Sequence, residues 1–185
     1  MAKPEARQTA RGQERGRNVD PDRRGRTGSV VSVHVAEDGG APMRAVEELR
    51  TAAGRGLEGD RYHDEKGHYP DHEGPIREVS LIEEETVEAV GRDHAMEVAP
   101  GETRRNVMTR GAPLDHLVGR EFRVGGAILE GVELCEPYEH LVAVTGKRGM
   151  LPDLIHRGGL HARVVRSGTI RPGDDVEEIL TGEAI

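Results

Sequence analysis

The sequence predicts a mostly β fold with a few short helices, α+β in class, and three observations carry that expectation. Several segments alternate β-branched and polar residues with period two, the pattern of half-buried strands. Twenty-five Gly and ten Pro punctuate these segments, which favours short strands and tight turns over a helical bundle. With no Trp, one Phe and three Tyr, the core must be built from aliphatic side chains. A chain of 185 residues is the size of one domain, and the patterned part runs over residues 28–180, behind a tail at 1–27.

Taken in order, Ser29 to Ala36 reads as the first strand and Glu37 to Pro42 as a turn, while the residues on to Gly54 fit a strand or a short helix equally well. Gly54, Gly56 and Gly59 punctuate a segment ending Asp60-Arg61, where the backbone needs positive φ or close approach. A polar loop from Tyr62 to Pro75 gives way to an apolar stretch at Ile76 to Ile82. The clearest helix follows: Ser80 and Glu83 have capping-box spacing, Leu81, Ile82, Thr86, Val87 and Val90 recur at helical intervals, and Gly91 marks a stop. Beyond Pro100 the pattern gives a strand at Asn106 to Thr109, a helical turn at Leu114 to Val118, and strands at Glu121–Val124 and Ala127–Leu134 joined by Gly125-Gly126. Pro152 and Gly158 bracket a helical turn at Leu151 to Arg157. His161 to Arg166 and Thr169-Ile170 are the last strands, each followed by a turn. So many short strands leave many exposed edges unless the sheet closes into a barrel.

The net charge of −8 is unevenly spread. Residues 1–28 hold eight Lys and Arg against four Asp and Glu, a balance of +4 that leaves −12 for the rest. The acidic remainder argues against nucleic-acid binding by the folded part. The Arg-rich tail has almost no apolar residues to offset the entropy of ordering, so disorder is expected; it could touch nucleic acid or an acidic partner, or be a plain solvated leader. No run approaches the roughly 20 apolar residues of a membrane span, and no apolar centre of a secretory signal is present. A single cysteine excludes an internal disulfide and fits a reducing, cytoplasmic setting.

Four segments could carry chemistry. Cys135 ends a strand just before Glu136-Pro137, where a thiol serves either as a reactive group or as a small buried hydrophobe. Its sequence neighbours Glu133, Glu136 and Glu139 oppose ionisation, so any activation must come from arginines distant in sequence. Arg104-Arg105-Asn106 leads into a strand; forked guanidiniums and an amide suit a phosphate or a planar heterocycle, and equally suit two surface arginines. His63, Asp64, His68, Asp71, His72 and Glu73 form a nitrogen and oxygen palette for a metal, with a spacing that matches no defined site. The segment His156-Arg157-Gly158-Gly159-Leu160-His161 joins a helix end to a strand, and its glycines would admit a ligand to the backbone.

In order along the chain, Gly56-Leu57-Glu58-Gly59-Asp60-Arg61 with His63, Val79-Ser80-Leu81-Ile82, Arg104 through Gly111, and Leu114 through Arg120 resemble the MOSC family. Leu134-Cys135-Glu136-Pro137, Gly158 through Ala162, and Gly168 through Asp174 extend the resemblance to about residues 28–178. That family is named after the C-terminal domain of the molybdenum cofactor sulfurase. The resemblance implies a distorted β-barrel that binds the molybdenum cofactor, molybdopterin, through Arg104, Arg105, Asn106, Tyr138 and Arg157, with Cys135 as metal ligand and catalytic residue. The family's cysteine usually follows a proline, whereas here Tyr138 follows Pro137 and Cys135 stands three residues earlier. In an extended strand that offset reverses the side chain's face, and a proline turn can restore it.

Two functional readings follow from the resemblance. One is an oxidoreductase or sulfurtransferase, acting on N-hydroxylated compounds with a separate redox partner or receiving sulfur at Cys135 from a cysteine desulfurase. The other is a non-catalytic or sulfur-relay carrier module with an anion pocket, which has lost the usual metal-ligand cysteine.

Overall fold

The computed structural model describes residues 27–63, 77–136 and 154–180. The readings of the tail up to Arg26, of Asp64 to Glu73, of Tyr138, and of the helical turn before Leu154 fall outside these ranges. The described elements are β1 (Thr27–Val35), β2 (Arg44–Val46), β3 (Leu49–Ala52), β4 (Gly56–Leu57), β5 (Val79–Glu83), α1 (Glu84–Asp93), β6 (Val107–Arg110), β7 (Glu121–Val124), β8 (Ala127–Leu134), β9 (Leu160–Arg166), β10 (Thr169–Ile170) and β11 (Asp175–Glu178). Short 3-10 turns occupy Pro100–Thr103 and Leu114–Leu117.

Seven strands close on themselves in the order β1-β6-β5-β9-β8-β7-β11, with β11 pairing back onto β1. The fold is the expected β-barrel, and closure removes the edges that these strands would otherwise expose. β2 extends the sheet beside β1, and β10, β3 and β4 form a small second sheet. Period two is what fills the interior. Phe122 and Val124 of β7, and Leu160, Ala162 and Val164 of β9, are buried, while the residues between them are half-buried or exposed. The β7–β8 hairpin turns at Gly125-Gly126 as the sequence indicates, with Gly125 at φ 54° and Val124 opposite Ala127.

One pair differs from the antiparallel rule. β5 and β6 run parallel, and α1 belongs to the crossover that a parallel pair requires. Here two sequence readings are corrected. Ser80 lies inside β5 and bonds to Asn106; the helix instead starts after Glu83, whose carboxylate accepts the Leu114 amide at 2.8 Å. Gly91 does not stop the helix, which continues to Asp93, because Val87 and Val90 are held in an outer cluster with Ile82, Met108 and Leu154.

Close backbone approach at β8 makes one position intolerant of a side chain. A Cβ on Gly131 would sit 2.2 Å from the Leu117 carbonyl oxygen, and Gly131 exchanges backbone hydrogen bonds with Gly119 and Arg120. Gly131→Ala is expected to lower the unfolding free energy by about 2–3 kcal/mol in chemical denaturation. Gly40→Ala, which meets only the Asp38 carboxylate at 3.6 Å, should change it by less than about 0.5 kcal/mol.

Candidate anion-binding site

The site is organised around one buried amide. Asn106, just ahead of β6, accepts hydrogen bonds at Oδ1 from the Ser80 backbone N–H (3.2 Å) and hydroxyl (2.8 Å). Its Nδ2 donates to the His34 carbonyl (3.2 Å) and to Asp60 Oδ1 (3.1 Å), so all of its hydrogen-bonding capacity is used inside the protein. Asp60, only 1% exposed, also takes the backbone N–H groups of Ala36 and Tyr62 and the Arg61 guanidinium. This network ties β5, the end of β1 and the segment after β4 to the start of β6.

Four guanidiniums gather round it. Arg104 is buried in a left-handed conformation (φ 58°) and donates to the carbonyls of Ala41 (2.7 Å) and Gly39 (3.0 Å). Burial, and then the nearby Arg61 charge, pull its pKa below the usual arginine value. Arg61 lies 4.9 Å from the centre of the Tyr62 ring, and the Tyr62 hydroxyl accepts a bond from Arg77 at 3.4 Å. Arg105 donates from Nε to the Gly158 carbonyl at 2.8 Å and from Nη1 to the Thr103 carbonyl at 3.3 Å. The chain of neighbours from Arg104 through Arg61, Tyr62 and Arg77 comes back through Cys135 to Arg105, because Arg77 and Arg105 both act electrostatically on that thiol. Beside these cations His34 is buried, with Nδ1 lacking a hydrogen-bond partner among the described residues; burial lowers its pKa and keeps the ring neutral at pH 7.

Cys135 is fully buried. Burial pushes its thiol up to about 11, against the charge and hydrogen bond of Arg105 and the charge of Arg77, while Glu133 adds to the rise. The turn before β9 is fastened to it: the Cys135 N–H donates to the Gly159 carbonyl at 2.8 Å, and Glu136 takes the His156 N–H (3.2 Å) and meets its Nδ1 (2.9 Å). The two glycines serve a different purpose from the one their sequence setting indicates. A Cβ at Gly158 would lie 2.0 Å from the Cys135 carbonyl oxygen and one at Gly159, at φ 101°, 1.9 Å from that of Leu81, so they admit neighbouring strands, not a ligand.

Of the residues singled out by sequence, Arg104, Arg105, Asn106 and Cys135 come together here. Arg157 is exposed on the turn fastened to Cys135, and Tyr138 lies outside the described residues. Asp60, Tyr62, Arg77 and His34 were not legible as site residues. The glycine-punctuated Gly59-Asp60-Arg61 was the only signal, and nothing in the sequence pairs Arg77 with Tyr62. Among the described residues no group of three metal-ligating side chains forms. A separate 390 Å³ groove lies between α1 and residues 96–100, lined in part by Val87, Met96, Val98 and Met108, and contains none of the four guanidiniums.

The described residues define a closed β-barrel that carries several arginines and a buried thiol. The MOSC domain model matches residues 68–177, more than half of the chain, so the protein belongs to the MOSC family. Its fold is similar to that of the YuaD protein of Bacillus subtilis (TM-score 0.70, 17% identity, covering 82% of this chain and 95% of that one). It is also similar to YiiM of Geobacillus stearothermophilus (TM-score 0.62, 16% identity, 84% and 76%) and to YiiM of Escherichia coli (TM-score 0.60, 18% identity, 85% and 72%). No curated protein matches the sequence. Among the described residues no helix is long and apolar enough to cross a membrane.

The thiol's environment gives a pH prediction. Its folded pKa lies above the ordinary value of 9.0, so the folded state keeps a proton that the unfolded chain has already released. The associated stability is complete below pH 9 and is lost as pH rises towards 11. Thiolate absorbance should titrate near 11 in the wild type and higher in Arg105→Gln, and Cys135→Ala should flatten the alkaline fall in melting temperature. A titration midpoint at or below 9 would contradict this burial.

Proposed function

We propose that this protein binds the molybdenum cofactor at the arginine cluster beside Cys135. The single observation that carries the reading is that Arg105 and Arg77 act on a buried thiol while Arg61 and Arg104 neighbour each other, in a chain whose net charge is −8. The family's association with that cofactor agrees with it. The residues fit the group chemically. Forked guanidiniums suit a phosphate and a pterin edge, and a thiol is the natural ligand for a soft-ligand metal. When bound, the cofactor supplies a redox-active metal centre held by its own dithiolene sulfurs.

The chain's own groups divide the work. Arg105, which acts on the Cys135 thiol, would supply positive charge there, with the exposed Arg157 and, beyond the described residues, Tyr138 as further candidates to contact the cofactor. Arg104 and Asn106 hold the wall, with their polar groups directed at Gly39, Ala41, Ser80, His34 and Asp60. Cys135 would hold the metal, and because burial keeps its thiol protonated at neutral pH it would have to give up that proton on binding. Reduction of N-hydroxylated compounds would need a separate redox partner, since the sequence holds no flavin, haem or iron–sulfur motif.

A second reading has its own support. Full burial and a pKa pushed up to about 11 make Cys135 a poor acceptor of sulfur from a cysteine desulfurase, which favours a cofactor carrier over a sulfur relay. Protein purified from a host that makes the cofactor should contain molybdenum, by elemental analysis, and pterin, by fluorescence after oxidative release. Cys135→Ala should keep the pterin and lose the metal. Metal retained by the variant would transfer the ligand role from Cys135, and a wild type without either component would refute cofactor binding.

A further inference from the structure

Cys135 is buried, yet part of the backbone that lies against it belongs to a short turn outside the strands of the barrel. Residues 154–159 run from Leu154, which packs with Ile82, Val87, Val90 and Met108, to the first residue of β9. Between those anchors Ile155, His156 and Arg157 are exposed, Ile155 to 50%. The middle of the turn therefore gains little from apolar burial. Its end is nonetheless seated on the thiol-bearing residue. A Cβ on Gly158 would lie 2.0 Å from the Cys135 carbonyl oxygen, and the Cys135 N–H donates to the Gly159 carbonyl at 2.8 Å.

The turn is held down by side chains. Arg105 donates from Nε to the Gly158 carbonyl at 2.8 Å. Glu136, the residue after Cys135, accepts the His156 N–H at 3.2 Å and meets its ring Nδ1 at 2.9 Å. His156 is in the left-handed region at φ 61°, a strained conformation for a residue with a Cβ. The bonds from Glu136 offset that strain, and they do so at the surface, where the His156 side chain is 79% exposed and that of Glu136 39%. Exposed pairs are individually weak. A strained turn closed by a weak surface pair, with little apolar surface of its own, is built to open locally while the barrel stays folded.

We propose that the turn at 154–159 is a strap over Cys135, latched by the Glu136–His156 pair, and that its opening admits a ligand or reagent to the thiol. Left-handed His156 and Gly159, at φ 101°, supply the hinges. The strap does not rest on the cofactor reading, because it governs access to the thiol whatever the thiol holds.

The probe is iodoacetamide, added to the full-length protein under native conditions and read by mass spectrometry; the single cysteine makes the labelled site unambiguous. Wild type should label slowly and Glu136→Ala about tenfold faster. His156→Ala, which loses the ring bond and keeps the N–H bond, should fall between them. Loss of a carboxylate also favours the thiolate, so exchange of the Cys135 amide, which donates to Gly159, is the second readout and should quicken by a similar factor in Glu136→Ala. Val124→Ala removes core volume at the far end of β8, where Val124 faces Ala127; it lowers global stability and should label at the wild-type rate. Equal labelling in wild type and both latch variants overturns the strap. So does faster labelling with unchanged exchange at Cys135, which is an effect of charge alone, or acceleration in Val124→Ala equal to that in Glu136→Ala, which means that the thiol is reached only by unfolding. Latch-dependent labelling in protein that acquires neither molybdenum nor pterin sustains the strap and removes the cofactor reading.

Discussion

The buried hydrogen-bond network of Asn106 and Asp60 is the interaction on which the rest of the site depends. An amide with four partners and a carboxylate 1% exposed are expensive to bury, and the arrangement is stable because every polar atom finds a partner. Removing one member of such a set leaves the others desolvated, at a cost of about 1–3 kcal/mol for each unsatisfied group and more for a charge. The same bonds fix where four arginines can be. Arg61 follows Asp60 directly, Arg104 and Arg105 precede Asn106, and Arg77 stands three residues before Ser80. The barrel supplies the frame and this polar junction sets the charge pattern.

The thiol and the arginines make opposing demands on each other. Burial raises the Cys135 pKa and the guanidiniums lower it, with burial the larger effect. In this state the thiol is protonated at neutral pH and withheld from solvent.

Much of the architecture was legible in the sequence, because period two and glycine turns act locally. The β7–β8 hairpin, Glu121–Val124 with Ala127–Leu134, falls where alternation and Gly125-Gly126 place it. Local signals failed where a distant partner outbid them. Ser80 has the spacing of a helix cap, yet its hydroxyl bonds to Asn106, twenty-six residues away in sequence. The uncommitted stretch before Gly54 is strand in β2 and β3 because Val46 packs on the core and Leu49 lies in it, a fact of tertiary packing alone. At the site, adjacency made Arg104, Arg105 and Asn106 conspicuous, whereas Arg77 meets Tyr62 only through the fold.

The central claim is that the Asn106 network positions the basic site without being needed for the barrel as a whole. Amide hydrogen exchange in wild type and Asn106→Leu tests it most directly. The amides of Ala36, Tyr62 and Ser80, which donate to Asp60 or to Asn106, should exchange more than about tenfold faster in the variant, while those of the β7–β8 ladder keep their protection. Unchanged exchange at those three amides, or a uniform acceleration that includes β7 and β8, would contradict the account.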